Sequence, residues 1–199
     1  MVWWTGTVRR IFDARRSCRP AMGKITFEIA LDGDIEQCRE LCDELMAFQK
    51  SMAHMEAERF DAMNFDTRMR KSYDSAREKQ VIVVKDDDIP VGYVFSTIES
   101  VDAMRRSPFK LLPYDVVLPE RVGCVNNLYL REGYRSGGLG SQQLSRSMEW
   151  LSRFDDIDRV YVFISNGNDD AYRFYQKHGF VYSHDVLGGF IIAACRRIR

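Results

Sequence analysis

Apolar positions along this chain fall into two rhythms. Short apolar or alternating runs at residues 25–31, 81–84, 89–95, 122–130 and 159–164 predict strands. Between the first two runs, apolar residues recur every three to four positions. Ile35, Cys38, Leu41, Cys42, Leu45 and Met52 mark a helix face, with Asp34 suited to its N-cap. Phe60, Met63, Met69, Tyr73 and Ala76 mark a second helical region over about 55–78, which Asn64 or Asp66 is placed to break and restart. Leu144, Met148 and Leu151 predict a helix over about 141–154. Residues 85–88 read as a polar turn, and residues 101–119 as an irregular insertion punctuated by Pro108, Pro113 and Pro119. Such a connection serves either as a lid over a site or as a wandering surface loop. Asp169 and Asp170 suit the first turn of a last helix, Gly179 suits its left-handed cap, and residues 180–184 and 189–196 read as two final strands.

The segment between the 122–130 strand and the helix that follows it holds the strongest chemical signal. Gly133, Gly137, Gly138 and Gly140 crowd a loop that enters a helix N-terminus. Glycines let backbone N–H groups turn inward and approach a ligand, and the helix adds partial positive charge, so residues 135–141 predict an anion site suited to phosphates. A P-loop requires Gly-Lys-Ser/Thr, but Gly140 is followed by Ser141 and Gln142. The dinucleotide fingerprint fails as well, because no third glycine follows Gly138 and Gly140 at its set position. What remains is Arg135-x-x-Gly138-x-Gly140.

Composition narrows the class. The chain has 199 residues, with Lys plus Arg and Asp plus Glu both 29, so its formal net charge is zero. That balance gives no global field favouring nucleic acid or anionic lipid, and no apolar run approaches a membrane span. The five cysteines are scattered without a C-x-x-C pair and read as free thiols of a reducing cytoplasm. The three histidines have no metal-ligand spacing, so no metal is expected. Residues 1–24 hold six basic side chains against Asp13 alone and read as a basic, disordered tail. Residues 25–199 then form one domain.

Arg135-x-x-Gly138-x-Gly140 after a strand resembles motif A of the GNAT superfamily, the GCN5-related N-acetyltransferases. Asn168-x-x-Ala171-x-x-x-Tyr175-x-Lys177-x-Gly179-Phe180 resembles the pattern that follows the fifth strand in the same family. The resemblance covers residues 80–182 well and the earlier part in outline. It implies an α/β (α+β) fold, with a central mixed, mostly antiparallel twisted sheet of six to seven strands flanked by about four helices. It implies an N-acetyltransferase that moves an acetyl group from acetyl-CoA to a primary amine of a small molecule or peptide. The cofactor-binding positions it implies are Leu128, Tyr129 and Leu130 of the fourth strand, Arg135, Ser136, Gly137, Gly138, Leu139, Gly140 and Ser141 of the loop, and Asn168. It also implies that the fourth strand splays from the fifth at a bulge, and that Tyr175 donates a proton to the leaving thiolate. A homodimer through the C-terminal strands is open by analogy.

The chain departs from the family where many relatives carry a glutamate on the fourth strand. Asn126 and Asn127 stand there, and an amide cannot take a proton near neutral pH. Glu99, Asp115 and Glu120 are near in sequence, with nothing to rank them. Two further readings therefore stay open: a CoA-binding module without transfer activity, and a transferase for a longer acyl-CoA.

Overall fold

The computed structural model describes residues 23–199. The tail expected at 1–24 lies outside them except for Gly23 and Lys24, and the Lys24 N–H donates to Asp87 Oδ1 at 2.8 Å. Seven strands form one sheet: β1 (Ile25–Ala30), β2 (Glu78–Asp86), β3 (Ile89–Ser100), β4 (Arg121–Leu130), β5 (Arg159–Ser165), β6 (Val181–Val186) and β7 (Ile191–Arg197), in the order 1-2-3-4-5-7-6. Only β4 and β5 run parallel; every other pair is antiparallel. The helices are α1 (Arg39–Met52), α2 (Lys71–Ser75), α3 (Val101–Arg106), α4 (Leu139–Leu151) and α5 (Asp169–Lys177).

The strands follow the predicted runs, and four regions differ. The helical region expected over 55–78 is three short pieces: a 3-10 turn at Ala57–Ala62, a π-helical turn at Phe65–Arg70, and α2. Asn64 makes the break. Its side chain accepts the Thr67 N–H at 3.0 Å and its own N–H donates to Thr67 Oγ1, a reciprocal cap. Strand β2 begins three residues earlier than its apolar run because Glu78–Gln80 pair with Ser96–Ile98. Cross-strand pairing there overrides a weak local apolar signal. The insertion at 101–119 opens with α3, whose N-cap Ser100 accepts the Ala103 N–H. The turn at 85–88 shortens to Asp87-Asp88, both at positive φ (45° and 71°), as a two-residue hairpin turn requires.

The sheet's two faces make two cores. Tyr93, Phe95 and Tyr129 pack with α1, Phe65, Met69 and Tyr73 on one side. Val94, Ile98, Val125 and Leu128 pack with α4 and α5 on the other. Val125 and Leu128 are three apart yet face the same side, which a regular strand of period two forbids. The β3–β4 register explains it: Phe95 faces Asn127, Ser96 faces Val125, and Asn126 has no partner. Asn126 is the extra residue of a β-bulge.

Candidate active site

The bulge sits where β4 leaves β5. Their parallel pairing covers only Gly123–Val125 against Val160–Val162. Beyond Val125 the strands part, and a cleft opens between them. It is lined by Leu45 and Gln49 of α1, Asn126–Leu128 of β4, and Asn168 and Tyr175 from the start and body of α5. The splay and bulge expected from the resemblance are both present.

The glycine-rich loop follows β4, which ends at Leu130, two residues past the cleft-lining Leu128. Ser136 and Gly138 take positive φ (63° and 84°), turning the chain into α4. No side chain caps that helix. Its first internal bond runs from Gln142 N–H to the Gly138 carbonyl at 3.1 Å, so the N–H groups of Leu139, Gly140 and Ser141 precede it without acceptors among the described residues. A Cβ at Gly137 or Gly138 would meet nothing within 4 Å, so this part of the loop faces open space. Tyr134 ties the loop to β2 by donating to Asp86 Oδ2 at 2.7 Å.

The other predicted positions divide. Arg135 braces rather than reaches: its Nε donates to the Leu130 carbonyl at 2.8 Å and its guanidinium lies 4.7 Å over the Phe48 ring. An anion at this helix end would therefore meet backbone N–H groups, not the Arg135 guanidinium. The Tyr129 carbonyl accepts from Gln143 Nε2 at 3.3 Å, and Leu128 lines the cleft. Asn168 caps α5, its side chain accepting the Ala171 N–H at 3.2 Å, while also facing the cleft. The Ser141 hydroxyl meets His178 Nε2 at 3.0 Å. Burial, then the nearby Arg196 charge, lowers the His178 pKa.

Tyr175 is held by edge-on contacts with Phe174 and Phe180, ring centroids 5.3 and 5.4 Å away. It is buried at the cleft wall, and burial alone raises its phenol pKa well above the ordinary value. A phenol in that state keeps its proton and can act as a donor.

On the α1 side of the bulge lies the second half of the site. Asn126 Nδ2 donates to Thr97 Oγ1 at 2.8 Å. Glu99 follows two residues along β3, so its side chain shares the face of Thr97. Burial raises the Glu99 pKa, and the Thr97 hydroxyl opposes that shift. Asp115 and Glu120, the other acids left open by the sequence, are exposed. Glu44 of α1 is held by Arg131 at 2.8 Å and by the Tyr129 hydroxyl, and Asp43 accepts the Phe65 N–H at 2.8 Å. Glu99, opposite Val122 and farther along β3 than the bulge, is a partly buried carboxylate without an ion-pair partner among the described residues. Strand alternation from Tyr93 through Thr97 carried the signal for its facing.

The 101–119 insertion is fixed, not wandering. Leu112 packs with Val101, Met104, Cys124 and Tyr161. Arg105 donates to the Pro113 and Val116 carbonyls at 2.9 and 2.6 Å, and His184 Nε2 meets the Leu111 carbonyl at 2.8 Å. Among the described residues, no group of three or more His, Cys, Asp or Glu is placed to hold a metal ion, and no helix is long and apolar enough to cross a membrane.

Comparison with known proteins matches this architecture. A search of curated proteins gives no match. Among solved structures, the PaiA N-acetyltransferase of Thermoplasma acidophilum in complex with coenzyme A superposes with a TM-score of 0.62 at 14% identity, over 87% of this chain and 99% of that one. An acetyltransferase of Thermus thermophilus gives 0.56 at 19% identity, over 89% and 99%. NAA60 of Arabidopsis thaliana in complex with acetyl-CoA gives 0.57 at 16% identity, over 88% and 99%. These likenesses establish the fold. The acetyltransferase (GNAT) family profile matches residues 40–180, spanning both motifs, the bulge and the cleft, and the chain therefore belongs to the GNAT acetyltransferase family.

Proposed function

We propose that this protein transfers an acetyl group from acetyl-CoA to a primary amine of a small molecule or peptide. One observation carries the reading: β4 and β5 part immediately after Val125, with Tyr175 on the wall of the opening and the uncapped α4 N-terminus in the loop that follows β4. A thioester on a long arm ending in pyrophosphate fits that layout. The backbone N–H groups at 139–141 would hold the anion, and β4 from Asn126 to Leu130 would face the arm.

The chemistry requires two proton movements. For an amine of pKa near 10.4, reaching the neutral form at pH 7 costs about 4–5 kcal/mol. Asn126 and Asn127 cannot accept that proton. Glu99 can, through the Thr97 hydroxyl or one water, and its raised pKa suits a base working near neutral pH. As the nitrogen–carbon bond forms and the carbon–sulfur bond breaks, Tyr175 donates its phenolic proton to the departing sulfur. Glu99 sits on β3 opposite Val122, so its link to the bulge runs through Thr97, whose hydroxyl accepts from Asn126.

The four described cysteines are free thiols, three of them buried, which supports a reducing compartment such as the cytoplasm. The deciding experiment is thiol release from acetyl-CoA against a panel of amines. Release with at least one amine class supports transfer. Tight CoA binding with no release across the panel would favour a CoA-binding module, and release only with longer acyl-CoA would favour the other alternative.

A further inference from the structure

Asn127 is the first residue of β4 after the bulge, and it pairs with Phe95. Residues directly opposite in a sheet share a face, so its side chain turns with Phe95 towards α1. Asn127 is only 5% exposed and lines the cleft, yet its amide makes no hydrogen bond among the described residues. Leu45 and Gln49, one turn apart on α1, line the cleft from the facing side. Gln49 is half-buried and likewise makes no side-chain hydrogen bond among the described residues. The Asn126 and Asn168 amides differ, since each already holds a bond inside the protein. Polar groups this deep are ordinarily bonded, so a free amide opening on a cleft marks a contact for what enters it.

The two faces of the opening are unlike. The glycine-rich loop leads into α4, whose Leu144 and Leu151 pack with Val125 and Leu128 on the face that holds Tyr175. A coenzyme anchored at that loop lies on that face, which leaves the α1 face and Asn127 to the acceptor. Among the described residues, no side chain lining the cleft carries a formal charge. A carboxylate brought into it would lose water and meet no cation. Amine basicity matters for the same reason. At pH 7 fewer than about one in a thousand molecules of an amine with pKa near 10.4 are neutral, against roughly a tenth for a peptide α-amine with pKa of about 7.7–8.0.

We propose that Asn127 receives the acceptor, and that the acceptor is a weakly basic amine followed by an uncharged amide, as at the N-terminus of a peptide. This rests on the acetyltransferase reading above. Asn127 Oδ1 accepts one N–H of the neutral amine and leaves the nitrogen lone pair free for the thioester carbon. Gln49, the other free amide, both accepts and donates, and so matches the amide that follows the amine. The group transfer and its proton steps are unchanged. A free amino acid would bring a carboxylate to this uncharged wall, and a lysine side chain would bring a cation.

The test measures acetyl-CoA-dependent thiol release with three acceptors: a dipeptide amide, the free amino acid of its first residue, and lysine blocked at its α-amine. The intact protein should favour the dipeptide amide by about tenfold or more in kcat/KM, the range of one hydrogen bond to a desolvated group. Asn127→Leu, of similar size, should lower that kcat/KM by about tenfold while KM for acetyl-CoA stays the same as evidence of folding. Asn127→Asp places a carboxylate on the wall and should narrow the preference by admitting the blocked lysine, which lost packing alone would not do. A dipeptide preference that is absent from the intact protein, or that neither substitution changes, overturns the assignment and leaves the transferase standing. If no amine is turned over, the transferase reading fails, and calorimetry of the dipeptide amide on the CoA-bound protein decides. Binding that requires Asn127 upholds the assignment, and binding indifferent to Asn127, or none, overturns it.

Discussion

Asn126 Nδ2 donates a 2.8 Å hydrogen bond to Thr97 Oγ1, joining the bulge of β4 to the strand that carries Glu99. Thr97 is fully buried, so its hydroxyl geometry is fixed by this bond, and Glu99 follows two residues on along the same face of β3. A residue that cannot be a base thereby connects the cleft to one that can.

Replacing Glu99 should show in rate and in stability. Glu99→Gln should lower kcat by about 10²-fold and remove the rising limb of the pH–rate profile, a limb lying above the ordinary carboxylate range. The stability sign is opposite. An acid whose folded-state pKa is raised contributes stability that is complete below its unfolded pKa and lost as pH rises through the folded value. Glu99→Gln should therefore raise Tm near pH 7, with the gap closing towards about pH 4. An unchanged pH–rate profile would remove Glu99 from the chemistry.

Tyr175→Phe keeps the ring and its contacts with Phe174 and Phe180 while deleting the proton. Tm and CoA affinity should hold. Turnover should fall by about 10²-fold, most clearly at low to neutral pH. Unchanged kcat would exclude the acid role.

Gly138 sits at φ +84°, with nothing within 4 Å of where a Cβ would stand. Gly138→Ala meets no clash, yet it should cost about 1–2 kcal/mol from the left-handed backbone alone. The N–H groups behind it should shift and weaken CoA binding. Gly137 has equally open surroundings and no positive φ, so Gly137→Ala carries no backbone strain and should weaken CoA binding less than Gly138→Ala in the same titration.

Asn166 is buried and spans three segments. Its Oδ1 accepts the His54 and Met55 N–H groups at 2.6 and 3.0 Å, and its Nδ2 donates to the Phe190 carbonyl at 3.1 Å. Asn166→Ala would strand those backbone groups and should lower unfolding free energy by about 2 kcal/mol, read by denaturant titration. Asn166→Asp keeps the acceptor and should cost less at the His54–Met55 side.

The amino-acid sequence by itself determined most of the scaffold. Strand runs, helix periodicity, the glycine loop and the Asn168–Phe180 segment are local patterns, set by backbone preference and by which face must be buried. The one-residue bulge at Asn126 left no local trace, because any residue can occupy an unpaired strand position and only the register of β3 against β4 reveals it. The break at Asn64 was legible as a cap residue, whereas the early start of β2 was not, since Glu78–Gln80 become strand only through Ser96–Ile98. Arg135 matched its motif, yet aromatic stacking with Phe48 and the free Leu130 carbonyl decided where its side chain went. Glu99 lies on β3 outside both motifs, and its partial burial without an ion-pair partner among the described residues follows only from packing. Partnering and solvation are properties of the packed chain, which is why the glycine loop and the strand runs were readable in sequence and the surroundings of Glu99 and Arg135 were not.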